Sequence, residues 1–387
     1  MASLLLVILT MMFMSIGIPD SLFGVAWPAI YREFGVSISS ANLITVLISG
    51  CTVISCYFSA RLIHKFGTPT VIAVSTALSA CALFGFSVSG SMWLLCLFAV
   101  PLGLSAGAID SGMNSYVAIH YKASYINFML CFYGLAVSAS PYLMRLALMG
   151  QTWRQGYRMA FFAQAALAAI AILSIPLWKR VHPKGQTDRS ETETKILSLK
   201  EMLRMAPARW VFLYFFISSA AEVTGGTWCS TFLVESRGFL PENAAIGALC
   251  YYLGMTAGRF VSGFASRKYS CWALIQSGVV LWSAAYLFLL LPLPGVCAFI
   301  GMFFAGMGMG PIFPNMMHLT AESFSPEIAL SISGLQMTAT YLGILLMPAV
   351  FGFVAQWIST GLFPGYMLLL VLITGFSVVG LRKSLGK

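Results

Sequence analysis

Twelve apolar runs, each about as long as a bilayer core is thick, decide what this chain can fold into. They lie near residues 3–30, 40–62, 69–89, 92–119, 124–147, 157–178, 209–234, 243–265, 271–292, 294–318, 328–353 and 362–381. A helix needs about 20 residues to cross the hydrocarbon. Inside lipid no water satisfies the backbone, so such runs become helices whose hydrogen bonds close within the segment. The reading is an all-α membrane protein of twelve transmembrane helices in two pseudo-symmetric six-helix bundles. Composition agrees, with 59% hydrophobic residues and only 9% charged, against about 25% charged in soluble domains. The first run reads as a retained span. It lacks a basic leading stretch and continues through Pro19 and Asp20 without a small-residue cleavage site.

In such a chain the net charge of +10 reports orientation, not nucleic-acid binding. Arg61, Lys65, Lys122, Lys179, Arg180, Lys184, Arg267, Lys268, Arg382 and Lys383 fall at one end of the spans. Arg32, Arg145, Arg154, Arg158 and Arg237 fall at the other. The richer end is cytoplasmic, which places both termini inside a multi-pass protein of the inner or plasma membrane. The hydrophilic stretch 179–208 then reads as a cytoplasmic linker between bundles 1–178 and 209–387, with an amphipathic surface helix over 197–206. The nine cysteines lie almost entirely in spans and show no metal-ligand spacing. Without a phosphate loop or zinc-type cluster, the chain reads as a non-enzyme that needs no cofactor beyond a coupling ion.

Charges inside spans are costly and mark sites. Of twelve acidic residues, Asp20, Asp110 and Glu222 lie well inside apolar runs. A carboxylate at mid-span costs about 2.5–3.5 kcal/mol on insertion scales, so it normally faces a polar cavity. Asp110 shares a helical stripe with Gly103, Gly107 and Asn114. The glycines allow close approach of a helix or a ligand, and Asn114 can hydrogen-bond what Asp110 holds. Asp20 follows Pro19, which removes a backbone donor and loosens the helix. Arg259 reads as part of a cytoplasmic gate with Lys65, and Glu322 as its partner.

The two bundles echo one another. Gly107 precedes Asn114 by seven residues in the fourth run, as Gly308 precedes Asn315 in the tenth. Asp20, Gly24 and Trp27 in the first run are matched by Glu222, Gly226 and Trp228 in the seventh. Tyr133, Gly134 and Pro141 in the fifth are matched by Tyr341, Gly343 and Pro348 in the eleventh. Such echoes predict a duplicated architecture with a binding site near mid-membrane between the repeats.

Four stretches stand out: Ile18-Pro-Asp-Ser-Leu-Phe-Gly-Val-Ala-Trp-Pro28, Asp110-Ser-Gly-Met-Asn114, Trp153-Arg-Gln-Gly-Tyr157 and Gly258-Arg-Phe-Val-Ser-Gly263. They resemble the major facilitator superfamily, and within it the fucose-permease-like sugar symporters and the neighbouring sodium-dependent glucose transporter branch. The resemblance implies that Asp20 contacts substrate and that Asp110 couples the cation. Two departures stand out. His64 occupies the place of the superfamily's loop aspartate, and Cys131 the place of a histidine common in related permeases.

Sugar sites combine aromatic faces with amides and carboxylates. Trp27, Tyr133, Trp228, Tyr252, Asn315, Gln336 and Tyr341, with Asp20 and Asn114, form the candidate substrate set; Asp110, Asn114 and Glu222 form the coupling set. Trp27 and Trp228 equally fit an interfacial aromatic belt. The favoured function is import of a small polar solute, most readily a sugar, by a monomeric cation-coupled symporter. An exporter or antiporter of amphiphilic or cationic compounds is the second reading. For the ion, removal of Asp110 from water penalises its charged form and favours a proton, while Asp110, Ser111 and Asn114 offer three oxygens to sodium. A cysteine introduced into 179–208 is expected to react with impermeant thiol reagents only from the cytoplasmic side; labelling from outside the cell overturns the orientation.

Overall fold

The computed structural model describes residues 2–120, 123–150, 152–181, 199–292 and 295–386. Apart from two three-residue 3-10 turns, its regular structure is α-helical throughout those residues. The first apolar run forms α1 (Ala2–Asp20) and α2 (Leu22–Phe34). Then come α3 (Ala41–Phe66), α4 (Thr68–Val88), α5 (Met92–His120), α6 (Ala123–Met149) and α7 (Trp153–Val181). After α8 (Leu199–Arg204) follow α9 (Ala206–Arg237), α10 (Pro241–Ala265) and α11 (Cys271–Leu290). The tenth run forms α12 (Gly295–Met309) and α13 (Ile312–Ser323), and α14 (Pro326–Trp357) and α15 (Phe363–Ser384) complete the chain. Ten spans are long and apolar enough to cross a membrane, and the 27-residue α6 and 32-residue α9 supply the other two. The middle of α9 carries Ser218, Ser219, Glu222, Thr224, Gly225 and Gly226, the composition of a helix that faces protein. Of the expected linker, residues 182–198 lie outside the described residues, and α8 occupies part of the predicted amphipathic helix. The chain divides into two compact units, Met1–Asp188 with Phe239–Leu249, and Arg189–Gly238 with Cys250–Lys387.

Proline breaks the first and tenth spans. At Pro19 the missing N–H leaves a carbonyl one turn back without its helical partner, and the helix stops at Asp20 and restarts at Leu22. Pro141 does the same to the Val137 carbonyl in α6. The two helices brace each other here: the Ser21 hydroxyl donates at 2.8 Å to Val137 O, the carbonyl that Pro141 frees, and the Ser140 hydroxyl donates at 2.8 Å to Ile18 O beside the α1–α2 break. Gly17 lets the helices meet, since a Cβ there would sit 2.7 Å from the Tyr133 carbonyl. In the tenth span Gly310 and Pro311 separate α12 from α13. There the Asn315 amide donates to Pro311 O at 2.6 Å and the Tyr214 hydroxyl to Ile312 O at 3.0 Å. The proline-loosened first span is therefore as the sequence predicts. The tenth-span break was not anticipated, because its prolines occur in an otherwise continuous apolar run.

Polar side chains near the helix ends tie each unit together. Glu33 at the end of α2 accepts from Trp153 Nε1 at 2.6 Å and pairs with Arg154 at 2.7 Å. Arg154 also donates to the Ser89 carbonyl at 3.0 Å, capping the C-terminus of α4 where the helix dipole is negative. In the second unit Arg237 caps α11 in the same way through the Leu289 and Leu291 carbonyls. The Trp153-Arg-Gln-Gly-Tyr157 motif thus acts as a fastening among α2, α4 and α7.

The tightest seams are built on small residues. Along α3 and α5, Thr52 donates to Gly103 O at 3.2 Å, Ser55 to Leu104 O at 2.5 Å, and Ser59 bonds Ser111 at 2.6 Å. Gly103 and Gly107, predicted to admit a helix or a ligand, face the backbone of α3. Along α10 and α12 the glycines interdigitate. A Cβ on Gly254 or Gly258 would strike the Phe303 or Met307 carbonyl, and one on Gly306 would strike the Tyr251 carbonyl. Helices in lipid associate through such close packing because hydrocarbon gives no hydrophobic drive. Gly306→Ala is expected to cost about 1–3 kcal/mol by overpacking and to lower the melting midpoint in detergent. Gly263→Ala, whose methyl meets nothing within 4 Å, is expected to melt no lower than wild type. Equal losses in the two variants refute the seam.

Candidate functional site

Two acids sit at the middle of the first helical span of their unit. Asp20 is central to the span Leu5–Phe34 and Glu222 is central to α9. Asp20 stands at the α1–α2 break with its carboxylate exposed, and the Tyr133 hydroxyl donates to it at 2.8 Å. The seams described above fix that geometry: Ser21 and Ser140 lock the break onto α6, and α6 carries Tyr133. An ionised carboxylate accepts hydrogen bonds only, so a ligand here must be a donor or a cation.

Glu222 has a different environment. Arg259 of α10 donates to Glu222 Oε1 at 3.3 Å, and the two side chains are only 15% and 21% exposed. The Tyr251 hydroxyl donates to the Glu222 backbone carbonyl at 3.1 Å. Gly225 and Gly226 make room for the hydroxyl ends of Tyr251 and Tyr252. Arg259 reaches the middle of α9, so the predicted Arg259–Glu322 partnership is corrected. Glu322 instead lies exposed beside His318 at 3.4 Å, one helical turn away on α13. The reason is energetic: a guanidinium in a span needs a counter-charge at its own depth, and Glu222 supplies it.

The remaining sequence candidates are distributed. Asp110 is half-buried on α5. Asn114 lies on the same helix, but its side chain falls outside the described residues, as does that of Cys131. Trp27 is buried against Phe23 and Tyr31 and gives its indole N–H to Ile38 O at 3.0 Å. Trp228 is buried against Phe351 and gives its N–H to Pro348 O at 2.9 Å. Both tryptophans therefore spend their polar atom on the framework. Asn315 uses its amide N–H groups on Ser262 Oγ at 2.8 Å and on Pro311 O. Gln336 donates to Thr320 Oγ1 at 2.5 Å. Tyr252 is buried and Tyr341 half-buried, while Lys65 is exposed at the end of α3. The structure thus brings together Asp20 with Tyr133, and Glu222 with Arg259, while the Tyr252 hydroxyl packs against Gly226 on the same helix as Glu222. Sequence reasoning singled out Gly226 only as an echo of Gly24, and missed Tyr251 and Gly225. Their signal was present, since a Gly-Gly pair three residues after a buried acid marks a close approach.

The family model described as the Major Facilitator Superfamily matches residues 4–348. The chain is 23% identical to Bypass of stop codon protein 6 of Saccharomyces cerevisiae, over 91% of this chain and 77% of that protein. It is 24% identical to an uncharacterised MFS-type transporter of Yersinia pestis, over 89% of this chain and 87% of that one. Among solved structures, the nucleoside transporter NupG matches with a TM-score of 0.74 at 15% identity, over 99% of this chain and 98% of that one. A bacterial homologue of the human lysosomal transporter Spinster, inward-facing and unoccupied, matches with a TM-score of 0.72 at 16% identity, over 99% and 97%. These structural likenesses establish a shared twelve-helix fold.

The Glu222–Arg259 pair makes a measurable prediction. Removing one partner strands the other charge inside a span. Glu222→Leu or Arg259→Leu alone is expected to cost about 2 kcal/mol, below the ~3–5 kcal/mol of a fully buried pair because both groups keep some solvent contact. The double replacement is expected to recover part of that loss in detergent melts. Strictly additive losses would show that the two charges do not depend on each other.

Proposed function

Because the chain belongs to the Major Facilitator Superfamily, we propose that this transporter is a proton-coupled symporter importing a small polyhydroxyl solute, a sugar or sugar-bearing compound, by alternating access. The observation that carries this reading is the exposed Asp20 carboxylate, held by Tyr133 at the mid-span break. A charge at that depth needs water or a counter-charge, and the exposure of the Asp20 carboxylate fits an aqueous path. Its oxygens accept from ligand hydroxyls, and the Tyr133 ring beside it offers a surface for the C–H face of a sugar. The solved nucleoside transporter is named for a ligand class that also carries a sugar, which suits the same donor pattern.

Proton coupling is assigned to Asp110. Glu222 already has a fixed counter-charge in Arg259, which favours a structural or state-dependent role over coupling. Arg259 and Glu222 then belong to the interior of the second unit, not to a surface gate. In this reading residues 1–178 and 209–387 rock about the linker 179–208, and both termini are cytoplasmic. Export of cationic amphiphiles is the competing reading, since the same Asp20 carboxylate also accepts an ammonium group.

Uptake into proteoliposomes, with proton and sodium gradients imposed separately, tests the assignment. A charged hydrogen bond is worth about 1.5–3 kcal/mol, so Asp20→Asn is expected to weaken substrate affinity about ten- to hundredfold. Asp110→Asn is expected to abolish pH-driven accumulation while retaining exchange. Accumulation driven by sodium at symmetric pH replaces the proton with sodium. Proton efflux coupled to entry of cations, with no sugar in the panel moving, replaces symport with antiport.

A further inference from the structure

The second helix of the first unit and the corresponding helix of the second end in the same chemistry. The last turns of α3, which ends at Phe66, are basic and aromatic. There Arg61 lies over the Phe58 ring at 5.8 Å, and Lys65 lies over the Phe66 ring at 5.3 Å. At the end of α10, Arg267 lies over the Phe264 ring at 5.6 Å, followed by Lys268 and Tyr269. Every one of these side chains is exposed, and Tyr57 and Tyr269 are exposed by 70% and 61%. Among the described residues none of Arg61, Lys65, Arg267 and Lys268 forms an ion pair with a carboxylate. Glu322 on α13 sits beside His318 at 3.4 Å.

We propose that these two helix ends bind the phosphate headgroups of acidic phospholipids. The argument is one of paired exposure. An aromatic ring left on the surface favours an apolar phase, and an unpaired cation favours an anion. Here Arg61, Lys65 and Arg267 each lie within 5.8 Å of a ring centroid, the layout of a headgroup boundary, where rings sit at the interface and basic side chains reach outward. A soluble anion would satisfy the cations and leave the rings in water. A lipid satisfies both. Acidic lipids near a basic cluster contribute about fivefold in affinity for each Lys or Arg, so two neighbouring cations select acidic from zwitterionic lipid by about twenty-five-fold.

The test uses the purified full chain in neutral detergent, titrated with phosphatidylglycerol, with phosphatidylcholine of the same acyl chains, or with glycerol 3-phosphate. Melting temperature and native mass spectrometry are the readouts. Phosphatidylglycerol alone is expected to raise the melting temperature and to stay bound in up to two copies. Arg61→Gln with Lys65→Gln is expected to remove one copy, and Arg267→Gln with Lys268→Gln the other. Phe58→Ser with Phe66→Ser is expected to weaken the first site with its charges intact. All variants are expected to melt as wild type in phosphatidylcholine, which excludes misfolding. Equal stabilisation by both lipids, retention of the acidic-lipid shift in the fourfold variant, or an equal shift from glycerol 3-phosphate overturns the proposal.

Discussion

A carbonyl that loses its helical partner in lipid has only another helix to satisfy it, and this constraint shapes the interior of the protein. Pro141 frees Val137, and Ser21 supplies the missing donor; the break after Pro19 is stitched in return by Ser140 onto Ile18. Because each repair requires the other helix, the break and α6 are a single mechanical element. Asp20 and Tyr133 ride on that element, so their 2.8 Å contact is a consequence of backbone bookkeeping elsewhere. In the second unit Asn315 and Tyr214 splint the α12–α13 break. There the donors come from long polar side chains, and the broken segment is correspondingly buried.

The same scarcity of water explains how the helices adhere. Apolar surface alone gives no preference for protein over lipid tails. Close backbone approach does, and α10 and α12 obtain it by placing Gly254, Gly258 and Gly306 against facing carbonyls. The α3–α5 seam reaches it differently, with Thr52, Ser55 and Ser59 donating across the gap. Asp110 lies on α5, so the helix proposed to couple the ion is held to its neighbour by a column of small polar groups. A larger side chain in that column would displace α5 as a whole and the acid with it.

The buried charges divide by the partners that the fold gives them. Glu222 and Asp20 are each central to their own helical span, yet one meets a guanidinium and the other a phenol. The difference in partner sets the difference in chemistry. A compensated carboxylate resists a change of charge, whereas one held by a neutral hydroxyl keeps its pull on a donor ligand. Trp27 and Trp228, equally prominent in the sequence, turned out to brace carbonyls. An indole N–H inside a span goes first to the nearest unsatisfied acceptor.

What the sequence determined by itself was set by the bilayer. The twelve spans, the loosening at Pro19 and the depth of Asp20, Asp110 and Glu222 all follow from the cost of exposing polar groups to hydrocarbon, and that cost is written locally in each segment. Partner choice was left to the tertiary structure. Arg259 could be matched on paper with Glu322, but α9 passes closer and offers Glu222; Gly103 and Gly107 could have faced a ligand, but face α3. Periodicity states which residues share a face, and only packing states what that face meets. Contacts between helices distant in sequence depend on crossing points set by many small fits at once, and no single segment carries that information.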